Sequence, residues 1–568
     1  MHHMFSRRTV TLMSISSLVQ AYVNSMESSY FQDIVNTEYS RRHDGCVEYG
    51  TAGFRTKSDR LEHVLYRMGL LAVLRSKAKK AAIGLMITAS HNLEPDNGIK
   101  LVDPAGEMLE ASWETIATNL ANVQDSDLIS TLLHISRREN IDLSVPATVI
   151  IGRDTRKSSP GLLKAALMGI KTLHGNVTDL GLVTTPQLHY VVVCTNTNGT
   201  YGEPTLKGYY SKLVTVFKSI RGAEINNGKY TSMLQLDAAN GVGAIAAKEF
   251  QRYLDSVLDI KLFNDGSGGL NHMCGADYVK VQQTLPLNVP SEKNVRCVSI
   301  DGDADRVVYF YTDENNKFHL LDGDRIATLV AAYFKELLET SGLSLQLGLV
   351  QTAYANGGST DYISNVLKVP VACVPTGVKH LHKRALEFDI GIYFEANGHG
   401  TVIFKDAAKE AIKTHARNET LSAAQRLASA KLRDVIDLIN ETVGDALSDM
   451  LLVETILHAK GWDIIEWERS YNDLPNKQLK VGVKDRNVIT TTNAERHCLT
   501  PVGLQEEIDK IVSKYPRGRS FVRPSGTEDI VRVYAECKNS SDVEKLTVEV
   551  ASLVYRLAGG VGPEPSLL

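Results

Sequence analysis

The sequence predicts repeated α/β domains followed by a smaller α+β domain, and three observations carry that expectation. Short β-branched runs alternate with helical patterns, the alternation recurs in units of similar size, and the C-terminal stretch changes character. The first unit is clear. Ala147-Thr148-Val149-Ile150-Ile151 reads as a strand ending in Gly152-Arg153-Asp154. Ser159-Pro160 opens a helix to about His174 with Gly175 as its stop, and Asn176 to Leu180 is the next strand, leading into the loop Gly181 to Pro186. A strand, helix and strand in that order imply a parallel-rich sheet covered by helices. The rhythm returns at Leu234 to Asp237, which ends in Asn240-Gly241-Val242-Gly243. It returns again where Asp324 is expected to cap a helix through Ile326, Leu329, Val330, Tyr333, Phe334 and Leu337, closed by Gly342. Leu347 to Val350 is then a strand followed by Asn356-Gly357-Gly358.

The last part reads differently. Val531 to Glu536 alternates like a half-buried strand. Ser541 and Glu544 are spaced as a capping box before a helix with Val543, Leu546, Val550, Leu553, Val554 and Leu557 on its apolar face. Gly559 to Leu568 reads as a frayed tail, and the polar stretch Asp406 to Asp449 as the place of the preceding domain boundary.

Bulk properties narrow the function. A chain of 568 residues exceeds one hydrophobic core and predicts three to five domains. A net charge of −4 argues against a general nucleic-acid binder, which carries a basic surplus. Seven cysteines, an odd number without C-x-x-C spacing, favour a reducing compartment over a disulfide framework. No apolar run approaches the ~18 residues of a transmembrane helix. Residues 1–26 hold Arg7, Arg8, several serines and no acid. A transit peptide has that look, but two arginines are few, and an extension ahead of Met13 or Met26 is the preferred reading.

Four short segments carry chemistry. Asp301-Gly302-Asp303-Ala304-Asp305-Arg306 places three carboxylates on a tight connection between two apolar strands. Carboxylates ~4 Å apart repel by about 4 kcal/mol at an effective dielectric near 20. Three of them ionised together need a cation, and hard oxygen donors favour Mg²⁺ over the alternative of a solvated turn. Asp322-Gly323-Asp324 repeats the pattern but precedes a long helix, so capping accounts for it. Thr88-Ala89-Ser90-His91-Asn92 puts a hydroxyl on a loop after the apolar run Ala81 to Ile87, followed by Asn97-Gly98-Ile99-Lys100; Lys100 either shuttles a proton or pairs with phosphate. Arg523-Pro524-Ser525-Gly526-Thr527, with Arg532 downstream, offers a guanidinium fork, two hydroxyls and backbone N–H groups to a phosphate. Glu395-Ala396-Asn397-Gly398-His399-Gly400-Thr401 sets a carboxylate and an amide at a strand end, where they suit vicinal sugar hydroxyls. Taken alone that loop reads equally well as a polar turn, and Lys379 after Pro375-Thr376-Gly377 has the same status.

In this order and chemistry the segments resemble the α-D-phosphohexomutase superfamily, from Tyr49-Gly50-Thr51-Ala52-Gly53-Phe54-Arg55 to about Glu536. The loop Glu395 to Thr401, with asparagine in place of a second acid, is similar to that of the phosphoacetylglucosamine mutase branch. The resemblance implies four domains around a central cleft, divided as 27–205, 206–320, 321–450 and 451–558, with an extension 1–26 and a tail 559–568. It implies a phosphoserine at Ser90, and Mg²⁺ held by its phosphate and by Asp301, Asp303 and Asp305. Glu395, Ala396 and Asn397 would bind the sugar; Arg523, Pro524, Ser525, Gly526, Thr527 and Arg532 would grip the phosphate that is not transferred. Arg55, His91, Lys100 and Lys379 would be further cleft residues, with His91 and Lys100 on the catalytic side. The implied activity interconverts N-acetylglucosamine 6-phosphate and 1-phosphate through a 1,6-bisphosphate, feeding UDP-N-acetylglucosamine synthesis, in a cytoplasmic monomer without nucleic-acid or membrane partners. A glucose or mannose phosphate mutase, or a non-catalytic sugar-phosphate binder on the same fold, is the alternative. One departure stands out: Leu93 occupies a place where the family often has proline, which only stiffens the loop.

Overall fold

The computed structural model describes residues 33–567 except 34, 44, 51 and 526–528. The expectation for residues 1–26 lies outside the described residues, as do Gly526 and Thr527. The chain divides into two compact units after Leu206.

The first unit is built on a five-stranded mixed sheet. Its strands lie in the order Phe54–Lys57, Asp96–Val102, Ile83–Ile87, Thr148–Arg153, Asn176–Leu182. The first two pairings are antiparallel and the last two parallel. The helices Glu62–Lys79 and Ser159–Thr172 supply much of the core on this sheet. The second unit contains a five-stranded sheet ordered Phe318–Leu321, Val307–Thr312, Cys297–Ile300, Met233–Asp237, Asp259–Phe263. A four-stranded sheet follows, ordered Val371–Val374, Leu347–Thr352, Ile390–Phe394, Gly400–Phe404. The same unit ends in a three-stranded antiparallel sheet, Asn476–Gly482, Ile530–Glu536, Arg519–Pro524, and a two-stranded ribbon, Thr490–Thr492 with His497–Thr500.

The α/β expectation therefore holds, and the recurrence has a topological basis that no residue-level repeat discloses. In each of the three mixed sheets one strand has a parallel neighbour on one side and, on the other, an antiparallel neighbour that follows it in sequence. The hairpins that join those pairs are the loops that hold Ser90, the Asp301–Asp305 cluster and Glu395–His399. An antiparallel partner for a buried parallel strand permits a short connection, and a short connection fixes its side chains tightly.

Four local expectations need correction. The N-cap of helix Gly323–Ser341 is Asp322, whose side chain accepts the N–H of Asp324; Asp324 is buried within the first turn. The final helix, Ser540–Leu557, starts two residues early, with Asn539 at its N-cap and no side-chain cap, so Ser541 and Glu544 form no capping box. The strand Ile530–Glu536 is covered on both faces: Val531, Val533 and Ala535 join the core beneath the final helix, and Tyr534 packs with Phe521 and Ala353. Residues 559–567 are tied down rather than frayed. Ser552 Oγ donates to Pro565 O, Tyr555 Oη donates to Gly562 O, and Val561 N–H donates to Gly482 O. All seven cysteines are free. No helix among the described residues is long and apolar enough to cross a membrane.

Candidate active site

The serine loop follows the fully buried strand Ile83–Ile87. Ser90 sits at its tip with φ +52°, a left-handed conformation that costs a non-glycine residue about 1–2 kcal/mol, and its side chain is buried. A strained residue persists only where its surroundings determine it, and here they do. Ser90 N–H donates to Thr88 Oγ1 (2.9 Å), and the Thr88 hydroxyl donates to Asp154 Oδ2 (2.8 Å). Arg156, itself fully buried, pairs with Asp154 and donates to the carbonyls of Ser90, Asn92, Leu93 and Asp96 at 2.7–3.0 Å. That guanidinium stiffens the loop and makes a proline at Leu93 unnecessary.

Asp154 and Arg156 escaped the sequence reading. Their signal is the charged run Gly152-Arg153-Asp154-Thr155-Arg156, of which the sequence pattern marks Gly152-Arg153-Asp154 only as a strand end. Of the other candidates in this unit, Arg55 and His91 come together, Arg55 Nη1 lying 3.5 Å from His91 Nδ1. Lys100 lies on the neighbouring strand, opposite Met86, and is buried.

In the second unit Asp301, Asp303 and Asp305 converge. Each offers a carboxylate oxygen, and these oxygens lie within 4.8 Å of one another. Asp301 and Asp303 are fully buried and Asp305 is 5% exposed. The turn is set by Ala304 at φ +58° and by Asp301 Oδ1, which accepts the N–H groups of Asp305 (3.0 Å) and Arg306 (3.2 Å). Burial opposes the charge on Arg306, but Asp301 and Asp305 outweigh it and hold its pKa above the usual value. Arg306 Nε remains 3.8–3.9 Å from both carboxylates, so it balances charge without closing the triad. Three buried carboxylates on a rigid turn are the hard donor set that suits Mg²⁺. Among the described residues this is the one cluster of its kind.

The candidate sugar loop is bound to the candidate metal loop. Val307 N–H donates to Gly398 O (3.1 Å), and His399 Nδ1 lies 2.7 Å from Asp305 O. Gly398, at φ +87°, lies so close to Val307 that a Cβ would fall 1.9 Å from the Val307 carbonyl oxygen. Within the loop Glu395 N–H donates to His399 O, Asn397 Nδ2 approaches Glu395 Oε2 at 3.4 Å, and His399 N–H donates to Asn397 Oδ1. Glu395, Ala396 and Asn397 are half-buried, presenting an acceptor and an amide side by side. Lys379, also half-buried, begins the helix Val378–Ala385.

In the candidate phosphate loop Arg523 and Arg532 stand directly opposite each other on paired strands. Like charges so placed repel and create a site for an anion. Ser525 N–H donates to Ile530 O (2.9 Å), closing the base of the turn, and Pro524 ends the strand.

Comparison with known proteins gives the class and then the family. Residues 70–127 and 132–200 match the profile "Phosphoglucomutase/phosphomannomutase, alpha/beta/alpha domain I", and residues 478–553 match the C-terminal domain of the same group. The fold and its ends are thus those of an α-D-phosphohexomutase. The middle is more specific: residues 200–308 and 322–462 match domains II and III of "Phosphoacetylglucosamine mutase AMG1". The chain is 54% identical to the phosphoacetylglucosamine mutase of Homo sapiens over 93% of this chain and 98% of that one. It is 46% identical to the enzyme of Saccharomyces cerevisiae, over 89% and 95%. The N-acetylphosphoglucosamine mutase of Aspergillus fumigatus, solved with GlcNAc-6P and magnesium, superposes with a TM-score of 0.87 at 46% identity, covering 95% of this chain and 99% of that one. The chain belongs to the phosphoacetylglucosamine mutase family.

Proposed function

We infer that the protein interconverts N-acetylglucosamine 6-phosphate and N-acetylglucosamine 1-phosphate. The observation that carries this reading is that the carboxylate triad and the Glu395–His399 loop form one hydrogen-bonded body, which joins a metal site to a polyol-binding loop. Ser90 carries the phosphoryl group. Its bond from Oγ to phosphorus breaks as the free hydroxyl of the bound monophosphate attacks, giving the 1,6-bisphosphate and a free serine. The proton of the attacking hydroxyl passes to a base, for which His91 on the serine loop and Lys100 on the neighbouring strand are the candidates, and a proton is returned to Ser90 Oγ as it leaves. The reverse step moves the other phosphoryl group onto Ser90 Oγ and releases the isomer.

Asp301, Asp303 and Asp305 would hold Mg²⁺, which when bound offsets negative charge on phosphoryl oxygens. Glu395 and Asn397 hold sugar hydroxyls, with Ala396 between them. Arg523, Ser525 and Arg532, with Pro524, Gly526 and Thr527 between them in sequence, grip the phosphate that stays in place, and Arg55 and Lys379 add cationic contacts. The division into 27–205, 206–320, 321–450 and 451–558 belongs to this reading, except that its last boundary, which would cut helix Ala446–Lys460, moves to the end of that helix. So do a monomeric state, a cytoplasmic location, and action without nucleic acid or membrane.

Turnover of the 6-phosphates of N-acetylglucosamine, glucosamine, glucose and mannose, with Mg²⁺ and a trace of bisphosphate, tests the substrate. Preference for a non-acetylated sugar would defeat the assignment. Ser90→Ala is expected to abolish nearly all turnover and to remove the phosphate that mass spectrometry finds on the serine-loop peptide. A variant that retained turnover would exclude Ser90 as the carrier.

A further inference from the structure

The ribbon Thr490–Thr492 with His497–Thr500 has an unusual tip. Asn493, Ala494 and Glu495 are all left-handed, at φ +52°, +56° and +65°. Asparagine tolerates that region; alanine and glutamate do not, so the tip is held in shape by its contacts. Within the tip Arg496 donates to the carbonyl and the side-chain oxygen of Asn493, and Glu495 makes the contacts beyond it. Its Oε2 accepts hydrogen bonds from the N–H (2.9 Å) and the hydroxyl (2.5 Å) of Thr376, in the turn that leads to Lys379. Its Oε1 lies 3.4 Å from Nε of Arg523. Both side chains of this ion pair are mostly buried, 16% and 17% exposed. Arg523 also lies 5.9 Å over the ring of Tyr354, facing Arg532 across the strand pair.

We propose that Glu495 is a positioning residue for substrate phosphate. Its carboxylate offsets the repulsion between Arg523 and Arg532 and holds Arg523 on the Nε side. The terminal guanidinium nitrogens are then the fork that meets a phosphate in bidentate fashion. Because the same carboxylate fixes Thr376, one side chain sets the Lys379 turn and the phosphate loop in register. A partly buried carboxylate that accepts from Thr376 and pairs with a cation is better suited to ordering the cradle than to competing for it. The inference rests on the phosphate-gripping role proposed for Arg523.

The test uses the full chain with Mg²⁺, bisphosphate activator and N-acetylglucosamine 6-phosphate. Glu495→Ala is expected to raise KM about 10-fold while kcat stays within about 2-fold, the signature of lost ground-state binding. Glu495→Gln retains an acceptor for Thr376 but not the charge, and is expected to fall between; it carries the test if Glu495→Ala fails to fold. The double variant Glu495→Ala with Arg523→Ala is expected to be no worse than Arg523→Ala alone, because Glu495 acts through Arg523. An unchanged KM in both Glu495 variants beside a raised KM in Arg523→Ala would overturn the proposal, as would strict additivity in the double variant. An unchanged KM in Arg523→Ala itself would overturn the reading of the phosphate loop, and this inference with it.

Discussion

Two segments of the second unit share the tripeptide Asp-Gly-Asp and have opposite fates. At Asp301-Gly302-Asp303 the carboxylates converge with Asp305 on a common point. At Asp322-Gly323-Asp324 the carboxylates are committed to the protein. Asp322 caps the helix through the Asp324 N–H (3.0 Å) and forms a short ion pair with Lys280. Asp324 Oδ2 accepts the N–H of Asn356 (2.8 Å). Both turns lie against the sugar loop: Val307 bonds to Gly398 O, and a Cβ on Gly323 would fall 1.9 Å from Glu395 O. Position beside the site therefore does not make an acidic turn a metal centre. What separates the two is where the chain goes next. A hairpin return keeps three alternate carboxylates on one turn, whereas a helix start directs its acids to N–H groups and to the nearest cations.

The largest effect expected from this contrast is on turnover. Asp303→Asn removes one hard anionic donor from the triad and is expected to lower activity at least about 100-fold at limiting Mg²⁺, with partial recovery as Mg²⁺ is raised. Asp324→Asn in the same assay is expected to stay within about 2-fold of the parent. A Mg²⁺ titration of both variants checks the pair, and an equal loss in the two would erase the distinction. The next effect concerns support of the triad. His399→Ala removes the imidazole at Asp305 O and is expected to weaken Mg²⁺ activation about 10-fold, as loss of a residue that orients a ligand does. An unchanged Mg²⁺ dependence would show that the Val307 to Gly398 bond alone positions the turn.

A smaller effect falls on stability alone. Asp322→Ala loses a helix cap, about 1 kcal/mol, and leaves Lys280 without its partner, so a total of about 2–3 kcal/mol is expected. Thermal unfolding of the variant checks this, and a midpoint within a degree of the parent would show that the cap and the ion pair contribute nothing.

The two motifs also show what a sequence discloses. Asp301, Asp303, Asp305, Ser90 and the Glu395 loop stand out in the sequence as candidates because phosphoryl and metal chemistry need particular residue types within a few positions. The alternation of strands and helices was legible because burial imposes periodicity. Asp154, Arg156 and Glu495 were not, because their roles depend on partners distant in sequence: Arg156 on Leu93, Asp154 on Thr88, Glu495 on Thr376 and Arg523. The cap was assigned two residues too late because Asp322 and Asp324 are equally good cap residues, and only the N–H geometry chooses between them. The tail read as frayed because glycine and proline carry no packing signal, yet its carbonyls serve hydroxyls of the final helix.

The smallest effect is a change of slope with pH. Burial, then the nearby Asp322, push the carboxyl of Asp324 up to about 8, although Lys280 opposes this. Below that value Asp324 is neutral in the fold, which leaves the carboxylates of Asp322 and Asp473 to face Lys280 and Arg325. An ordinary aspartate in the unfolded chain ionises near 3.9. Between the two values the folded state binds a proton that the unfolded state has released. The stability contributed by this group is therefore complete below about pH 4 and falls as pH rises towards 8. Asn at this position has no proton to lose and its amide oxygen can still accept the Asn356 N–H. Asp324→Asn is accordingly expected to gain on the parent as pH rises, with the difference in thermal midpoint increasing from pH 5 to pH 8. A difference that is flat across that range would mean that Asp324 is ionised in the fold, and that this second acidic turn holds its charge by pairing, as the metal turn does.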